Sequence, residues 1–244
     1  MGKHFWLSGF LLALPIQAVA APPQGFSGDV GLGASSSTGT SQALSLNTED
    51  ALYWVGGPWS NQTHLSYNYA RSDSEVSADR LALRNDTHYL FDRNTYALGD
   101  VDYIRNHFDG YYYRVNLLAG LGHYFYPRKD MRLSVEAAVG GRQAHLIGET
   151  PRFLPVVRVG AKYRWQISKE ARLSEDVQAI LVDDGANTYQ SRLAVDTPLV
   201  GSLGMRFSFL ASYNAQVRPG FKPFNTLTAV NLVYHFGDTQ SKET

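Results

Sequence analysis

The 244-residue chain has no cysteine. That excludes disulfide frameworks, thiolate nucleophiles and cysteine zinc sites together. It also lacks an excess of either charge, with 22 Lys and Arg against 22 Asp and Glu. A balanced chain leaves no electrostatic footprint for nucleic acid or an acidic polymer. Only 18% of its residues are charged, below the roughly 25% usual in soluble domains. Past residue 21 no apolar run approaches the ~20 residues a membrane-spanning helix requires. Convincing helical periodicity is missing as well.

What is present begins with an export signal. Lys3 and His4 precede the apolar stretch Phe5 to Leu14, Pro15 ends it, and Ala18-Val19-Ala20 supplies small residues for cleavage. Residues 1–20 are therefore expected to be removed, leaving a chain destined for an extracytoplasmic space.

Beyond it, apolar and polar residues alternate with a period of two almost to the end. Leu203, Met205, Phe207, Phe209, Ala211 and Tyr213 share one side, opposite Gly204, Arg206, Ser208, Leu210, Ser212 and Asn214. Tyr113 to Leu121, Leu133 to Gly140, Val157 to Ile167 and Thr226 to Phe236 behave alike. Clusters of Gly, Pro, Asn, Asp and Ser interrupt the alternation at even intervals, as turns require. Those at Gly56, Asp92, Pro127, Ser168 and Pro198 are tight, and those at Ser35, Arg71, Asn106, Gly141, Asp183 and Arg218 are longer. Together they delimit about twelve strands in a single all-β domain over residues 21–236, followed by a polar tail at 237–244.

Alternation suits a soluble sandwich and a membrane barrel equally, so the faces must decide. The polar positions hold Arg, Asn, Ser, Gly, Gln and Asp with few Lys, which fits a confined interior rather than a wetted surface. Aromatic residues gather at two levels. Trp54, Trp59, Tyr89, Phe91, Tyr124, Phe125, Tyr126 and Trp165 lie near the tight turns, and Tyr67, Tyr69 and Tyr111 to Tyr113 near the longer ones. Two such girdles match the two interfaces of a bilayer. A sheet in hydrocarbon must close, because an open edge leaves backbone groups unpaired. The expectation is a single closed antiparallel transmembrane β-barrel, with short turns and both termini on the periplasmic side of a Gram-negative outer membrane.

Particular segments resemble a known family. Gly28-Asp29-Val30-Gly31-Leu32-Gly33 followed by a Ser-Ser-Thr-Gly run is similar to the opening of the YdiY-like outer-membrane proteins. Gly110-Tyr111-Tyr112-Tyr113-Arg114 leading into Ala119-Gly120-Leu121-Gly122 resembles its central hairpin. Asn187-Thr188-Tyr189, the strand Leu203 to Tyr213 and the closing Leu232-Val233-Tyr234-His235-Phe236 are similar too. The likeness covers nearly all of residues 25–236. It implies an outer-membrane barrel labelled salt-induced, carrying a domain of unknown function, and it brings no catalytic or binding residues.

If the apolar side meets lipid, the other side lines a lumen. That places Arg80, Arg84, Arg114, Arg132, Arg142, Arg158, Lys162, Arg164, Arg192 and Arg206 inside, together with Asp86, Asp100, Asp102, Glu136, Asp176 and Asp196. Counting across turns puts Asp102 opposite Arg114 and Lys162 opposite Asp176. Unpaired charges in a confined interior are costly, so a largely filled, salt-bridged lumen is one expectation. A narrow pore for small solutes with a basic excess is the other. The expected work is a structural or envelope-stress (salt) adaptive one, with passage of small solutes second to it; two rival functions are an outer-membrane enzyme acting on lipid or lipopolysaccharide and a soluble secreted β-barrel binding protein. For the enzyme, His107 lies near Asp109 and His145 near Glu149, but neither pair has a serine in a nucleophile context. Asn61-Gln62-Thr63 and Asn85-Asp86-Thr87 fit the glycosylation pattern but fall inside strands. No cofactor or metal ligand set is read. The expected partners are outer-membrane lipid and, during insertion, the barrel-assembly machinery. A transmembrane barrel should need detergent for solubility and should migrate differently on a gel before and after boiling; identical migration with solubility in plain buffer would point to the secreted protein.

Overall fold

The computed structural model describes residues 25–38, 43–72, 75–106, 111–217 and 222–237. The export signal of residues 1–20, the tail beyond Gly237 and the His107–Asp109 pair lie outside the described residues. Among these residues the chain forms twelve strands: β1 (Phe26–Thr38), β2 (Ala43–Gly56), β3 (Trp59–Ser72), β4 (Glu75–Leu90), β5 (Thr95–Asn106), β6 (Tyr111–Arg128), β7 (Met131–Leu146), β8 (Arg152–Gln166), β9 (Arg172–Val182), β10 (Thr188–Val200), β11 (Leu203–Asn214) and β12 (Phe224–Gly237). Each pairs antiparallel with its sequence neighbours, and β1 closes on β12 from Ser27↔Gly237 to Thr38↔Thr226. The all-β closed barrel expected from alternation is what the chain adopts.

The alternation sorts side chains between two environments. Leu117, Leu121, Val135, Val139, Phe207, Val230 and Leu232 all point outward and are exposed. Asp100, Asn116, Glu136, Arg158 and Asn231 point inward and are at most 4% exposed. This is the reverse of a soluble barrel, and so large an apolar surface is tolerated only against acyl chains. Strands of 11 to 18 residues are long enough for a tilted crossing, which takes about 9–11. The tilt is visible in the register. One cross-strand row runs from Tyr53 through Gln62, Asp86, Asp100, Leu118, Gly140 and Val156 to Val182, climbing from near the tight-turn rim to the opposite rim.

Aromatic residues mark both rims. Trp54, Trp59, Phe91, Phe125 and Tyr126 are exposed near the tight turns, with Trp59 and Tyr89 packed edge-on at 4.8 Å. Tyr67 stacks on Tyr69 and Tyr189 packs on Tyr213 toward the other rim. Tyr124 does not belong to the girdle. Period two sends it inward because Phe125 points out, and its ring stacks on Tyr96 at 4.5 Å inside the barrel. The tight turn after β4 is held by Asp92, whose Oδ1 accepts from the amides of Asn94 and Thr95 at 2.7 and 2.8 Å. Those two bonds, which favour the charged form, hold its carboxyl below the ordinary value. Glycine serves where a neighbour must come close. A Cβ on Gly122 would strike the Tyr96 ring lying over it, and one on Gly28 would strike Phe236, which covers it across the β1–β12 closure.

The two Asn-x-Thr segments explain each other. Asn61, Thr63, Asn85 and Thr87 share the outer face of β3 and β4, with Asn61 opposite Thr87 and Thr63 opposite Asn85. Asn61 Nδ2 donates to Asn85 Oδ1 (3.1 Å) and Thr87 Oγ1 (2.7 Å). Asn85 Nδ2 donates in return to Asn61 Oδ1 (3.1 Å) and Thr63 Oγ1 (2.7 Å). Each threonine hydroxyl then donates to the asparagine oxygen on its own strand at 3.3 Å. Every side-chain donor in the group is used, so the group can face hydrocarbon without an unmet hydrogen bond. Asn85→Ala should therefore cost about 1–3 kcal/mol by stranding donors in lipid. Replacing all four residues by Leu, Val, Leu and Val should cost less, as read by urea unfolding of the barrel in lipid vesicles.

Candidate functional site: the charged lumen

Inside the barrel, β5 to β9 contribute an apolar wall. Tyr96, Leu98, Leu118, Tyr124, Ala138, Val156, Ile180 and Val182 pack together, with Leu90 and Leu154 against them. Beside it, β6 and β7 approach closely at Gly120 and Gly140, where a Cβ would strike the backbone oxygen of Ala137 or Leu117 on the paired strand. This half of the lumen is filled, as a narrow barrel was expected to be.

Above and beside the wall, charged side chains cross the lumen. Asp86 and Asp100 lie directly opposite each other on β4 and β5, an arrangement that like charges destabilise. Arg84 relieves it, with Nε 3.0 Å from Asp86 and 3.1 Å from Asp100. From the far side Arg158 brings NH1 to 3.0 Å of Asp100, and Lys162 sets Nζ 2.9 Å from Glu136 and 3.8 Å from Asp86. Arg84 NH1 also reaches β9, donating to Gln178 Oε1 at 3.5 Å, and Tyr96 donates its hydroxyl to Glu136 at 2.9 Å. The result is a bridge from β4–β5 to β8–β9, with Asp100 and Arg158 at 1% and 3% side-chain exposure.

A second group lies near the tight-turn rim. Arg206 Nε is 2.6 Å from Asp196 and its NH2 3.0 Å from Asp29, whose other oxygen is 2.6 Å from His235 Nδ1. A third is centred on Glu49, which accepts from Asn231 (3.1 Å) and Ser208 (3.3 Å) and has Arg192 at 3.9 Å. Asp29, Glu49 and His235 were not singled out from sequence. Glu49 is followed directly by Asp50, so alternation cannot say which of the two faces in; it is Glu49, while Asp50 on the outer face accepts from the Gly31 amide at 3.2 Å.

The other sequence-derived residues also face inward. Arg114 lies over the Tyr111 ring at 5.1 Å, and Arg142 donates to Asn116 and to the Ala186 carbonyl. Asp102 is not opposite Arg114. The β5–β6 hairpin pairs Asn106 with Tyr111, one step beyond a count about Phe108, and a bulge between Ile104 and Asn106 adds a second step, so that Asp102 faces Asn116 and accepts from it at 2.8 Å. Lys162 is opposite Asp176 in register, yet its ammonium goes to Glu136. Arg80, Arg132, Arg164, Arg192 and Asp176 line a cavity of about 550 Å³ on the open side of the bridge. The cavity extends from Val55, Gly201 and Gly237 at the tight-turn rim to Ala82, Ile104 and Leu210 deep in the barrel.

Among the described residues no three His, Asp or Glu are grouped to hold a metal ion. His145 packs between Tyr112 and Tyr113, and Glu149 is 2.6 Å from Arg152, so the second pair considered for catalysis is engaged elsewhere. The bridge itself gives a test. Arg158→Ala leaves Asp100 with Arg84 and Glu136 with Lys162 but removes one of the three cations of the bridge, and should lower stability by about 3 kcal/mol, the low end for breaking a buried ion pair. Arg164→Ala, at the cavity surface, should cost far less; urea unfolding in detergent compares the two.

Residues 30–236 match the family described as protein of unknown function, DUF481. The uncharacterized protein YdiY of Escherichia coli (strain K12) is 22% identical over 202 residues, which cover 81% of this chain and 77% of that protein. Among solved structures, the NanC porin aligns with a TM-score of 0.58 at 6% identity, over 84% of this chain and 98% of its own. An outer membrane channel from Pseudomonas putida F1 aligns with a TM-score of 0.50 at 11% identity, over 86% and 95%. These structural likenesses are of fold. With a closed twelve-strand barrel and a family match over nearly its whole described length, the chain belongs to the DUF481 family.

Proposed function

We propose that this protein is a non-catalytic outer-membrane barrel that passes small solutes through a narrow, anion-preferring lumen. Both termini then lie on the periplasmic side, beside the tight turns, and the barrel-assembly machinery inserts the chain among the lipids. The apolar outer belt between two aromatic girdles supports the location. The pore reading is carried by one observation: the bridge leaves a charged cavity of about 550 Å³ beside it instead of filling the section. Its polarity follows from the cations that exceed carboxylates among the inward residues named from the sequence. Among the described residues Arg80 and Arg164 line this cavity with no carboxylate within 4.0 Å, while Asp102 and Asp176 line it with no cation within 4.0 Å, so the preference for anions is mild. Cations aimed at a confined aqueous space attract anions into it.

The test is single-channel recording of the full chain in planar bilayers. Small discrete openings with a reversal potential favouring chloride over potassium are expected, and Arg80→Glu should move that potential toward potassium. Closed traces at every voltage would end the pore reading. The protein would then return to the structural, salt-adaptive envelope role that its YdiY-like resemblance implies.

A further inference from the structure

Among the described residues two cross-strand pairs of like charge face the interior of the barrel. Asp86 and Asp100 are bridged by Arg84, with Lys162 and Arg158 adding positive charge. Arg132 and Arg164 are likewise directly opposite, on β7 and β8, and both face the cavity near the tight-turn rim. No carboxylate of the described residues comes within 4.0 Å of the Arg164 guanidinium. Directly opposed residues have Cβ atoms only about 4.5–5.5 Å apart, and like charges there are destabilising. Arg132 is nonetheless held in place, its guanidinium 5.2 Å over the Tyr124 ring. Arg172, the next cation around the rim on β9, is oriented by donating Nε to Gln166 Oε1 at 3.1 Å. Three guanidiniums thus line one arc of the mouth, Arg132 and Arg172 held by neighbouring side chains and Arg164 directly opposite Arg132. Planar guanidinium forks match the oxygens of a phosphoryl group, and a dianion offsets the repulsion between two of them.

We propose that the tight-turn mouth of the barrel is a phosphate-binding site, in which Arg132 and Arg164 grip a phosphoryl group from two adjacent strands and Arg172 flanks it. The proposal rests on the pore reading only for the identity of the solute that passes. The site itself is a property of the folded barrel.

The full chain, folded in detergent at low ionic strength, is titrated with inorganic phosphate by calorimetry, with glucose 6-phosphate and chloride in parallel. One phosphate per barrel is expected, with chloride much weaker. Arg164→Gln and Arg132→Gln should each weaken phosphate binding about tenfold or more. Arg152→Gln, which removes the same charge at the other rim, should leave it unchanged. Gel migration before and after boiling verifies that every variant is folded. Tighter binding of glucose 6-phosphate than of phosphate would identify a phosphorylated solute as the occupant, and the reverse a free anion. No heat on addition of phosphate, or equal loss in Arg152→Gln, would overturn the site. Binding is read without conduction, so a silent but phosphate-binding barrel would sink the pore and keep the site. A conducting barrel that ignores phosphate would do the opposite.

Discussion

A backbone amide placed in hydrocarbon finds no water, and this constraint governs the molecule from end to end. Its only remedy in a strand is the neighbouring strand, so the ladders must continue until the last returns to the first. Closure fixes the interior, because every inward position on twelve strands is then shared around a single lumen. The same rule applies to side chains on the outer face. The Asn–Thr group on β3 and β4 meets it by spending every donor internally. Polarity in the lipid belt is admissible when it is closed on itself.

The lumen obeys a second form of that rule, applied to charge. Asp100 and Arg158 are deep enough that neither could remain ionised alone, and each is matched by the other and by further partners. Neutralisation is nearly complete in the bridge and in the Arg206 group, while Arg164 at the tight-turn mouth has no carboxylate within 4.0 Å among the described residues. That contrast separates charge used for architecture from charge still available to a solute. The apolar wall on β5 to β9 sharpens the separation by leaving the open space on one side only.

Much of the fold was legible because a strand buried on one face writes its environment into the sequence at every second residue. The run from Leu203 to Tyr213 shows this: Met205 and Phe207 face out, Arg206 and Ser208 face in, as alternation dictates. Alternation fails where the ladder does. The bulge beside Ile104, added to a hairpin centred beyond Phe108, put Asp102 opposite Asn116 instead of Arg114, and no local residue pattern announced it. It fails also where two successive residues are of one kind, as with Glu49 and Asp50 or the Tyr124-Phe125-Tyr126 run. Pairing across the lumen was illegible for a different reason. The reach of Arg84 to Gln178 or of Lys162 to Glu136 depends on barrel radius and tilt, which a count of residues around a turn does not contain. Even a correct register, such as Lys162 against Asp176, did not decide where a long ammonium side chain would go.

The seam between the first and last strands carries a consequence for the timing of folding. Asn47 donates to Asn231 across it at 2.8 Å, and Asp29 is held by Arg206 and His235. Asp29 therefore meets Arg206 and His235 only when the final two strands have been synthesised. A ribosome-bound or truncated chain would expose an unpaired edge and a stranded carboxylate at once. A partial barrel thus carries two costs that the complete one does not.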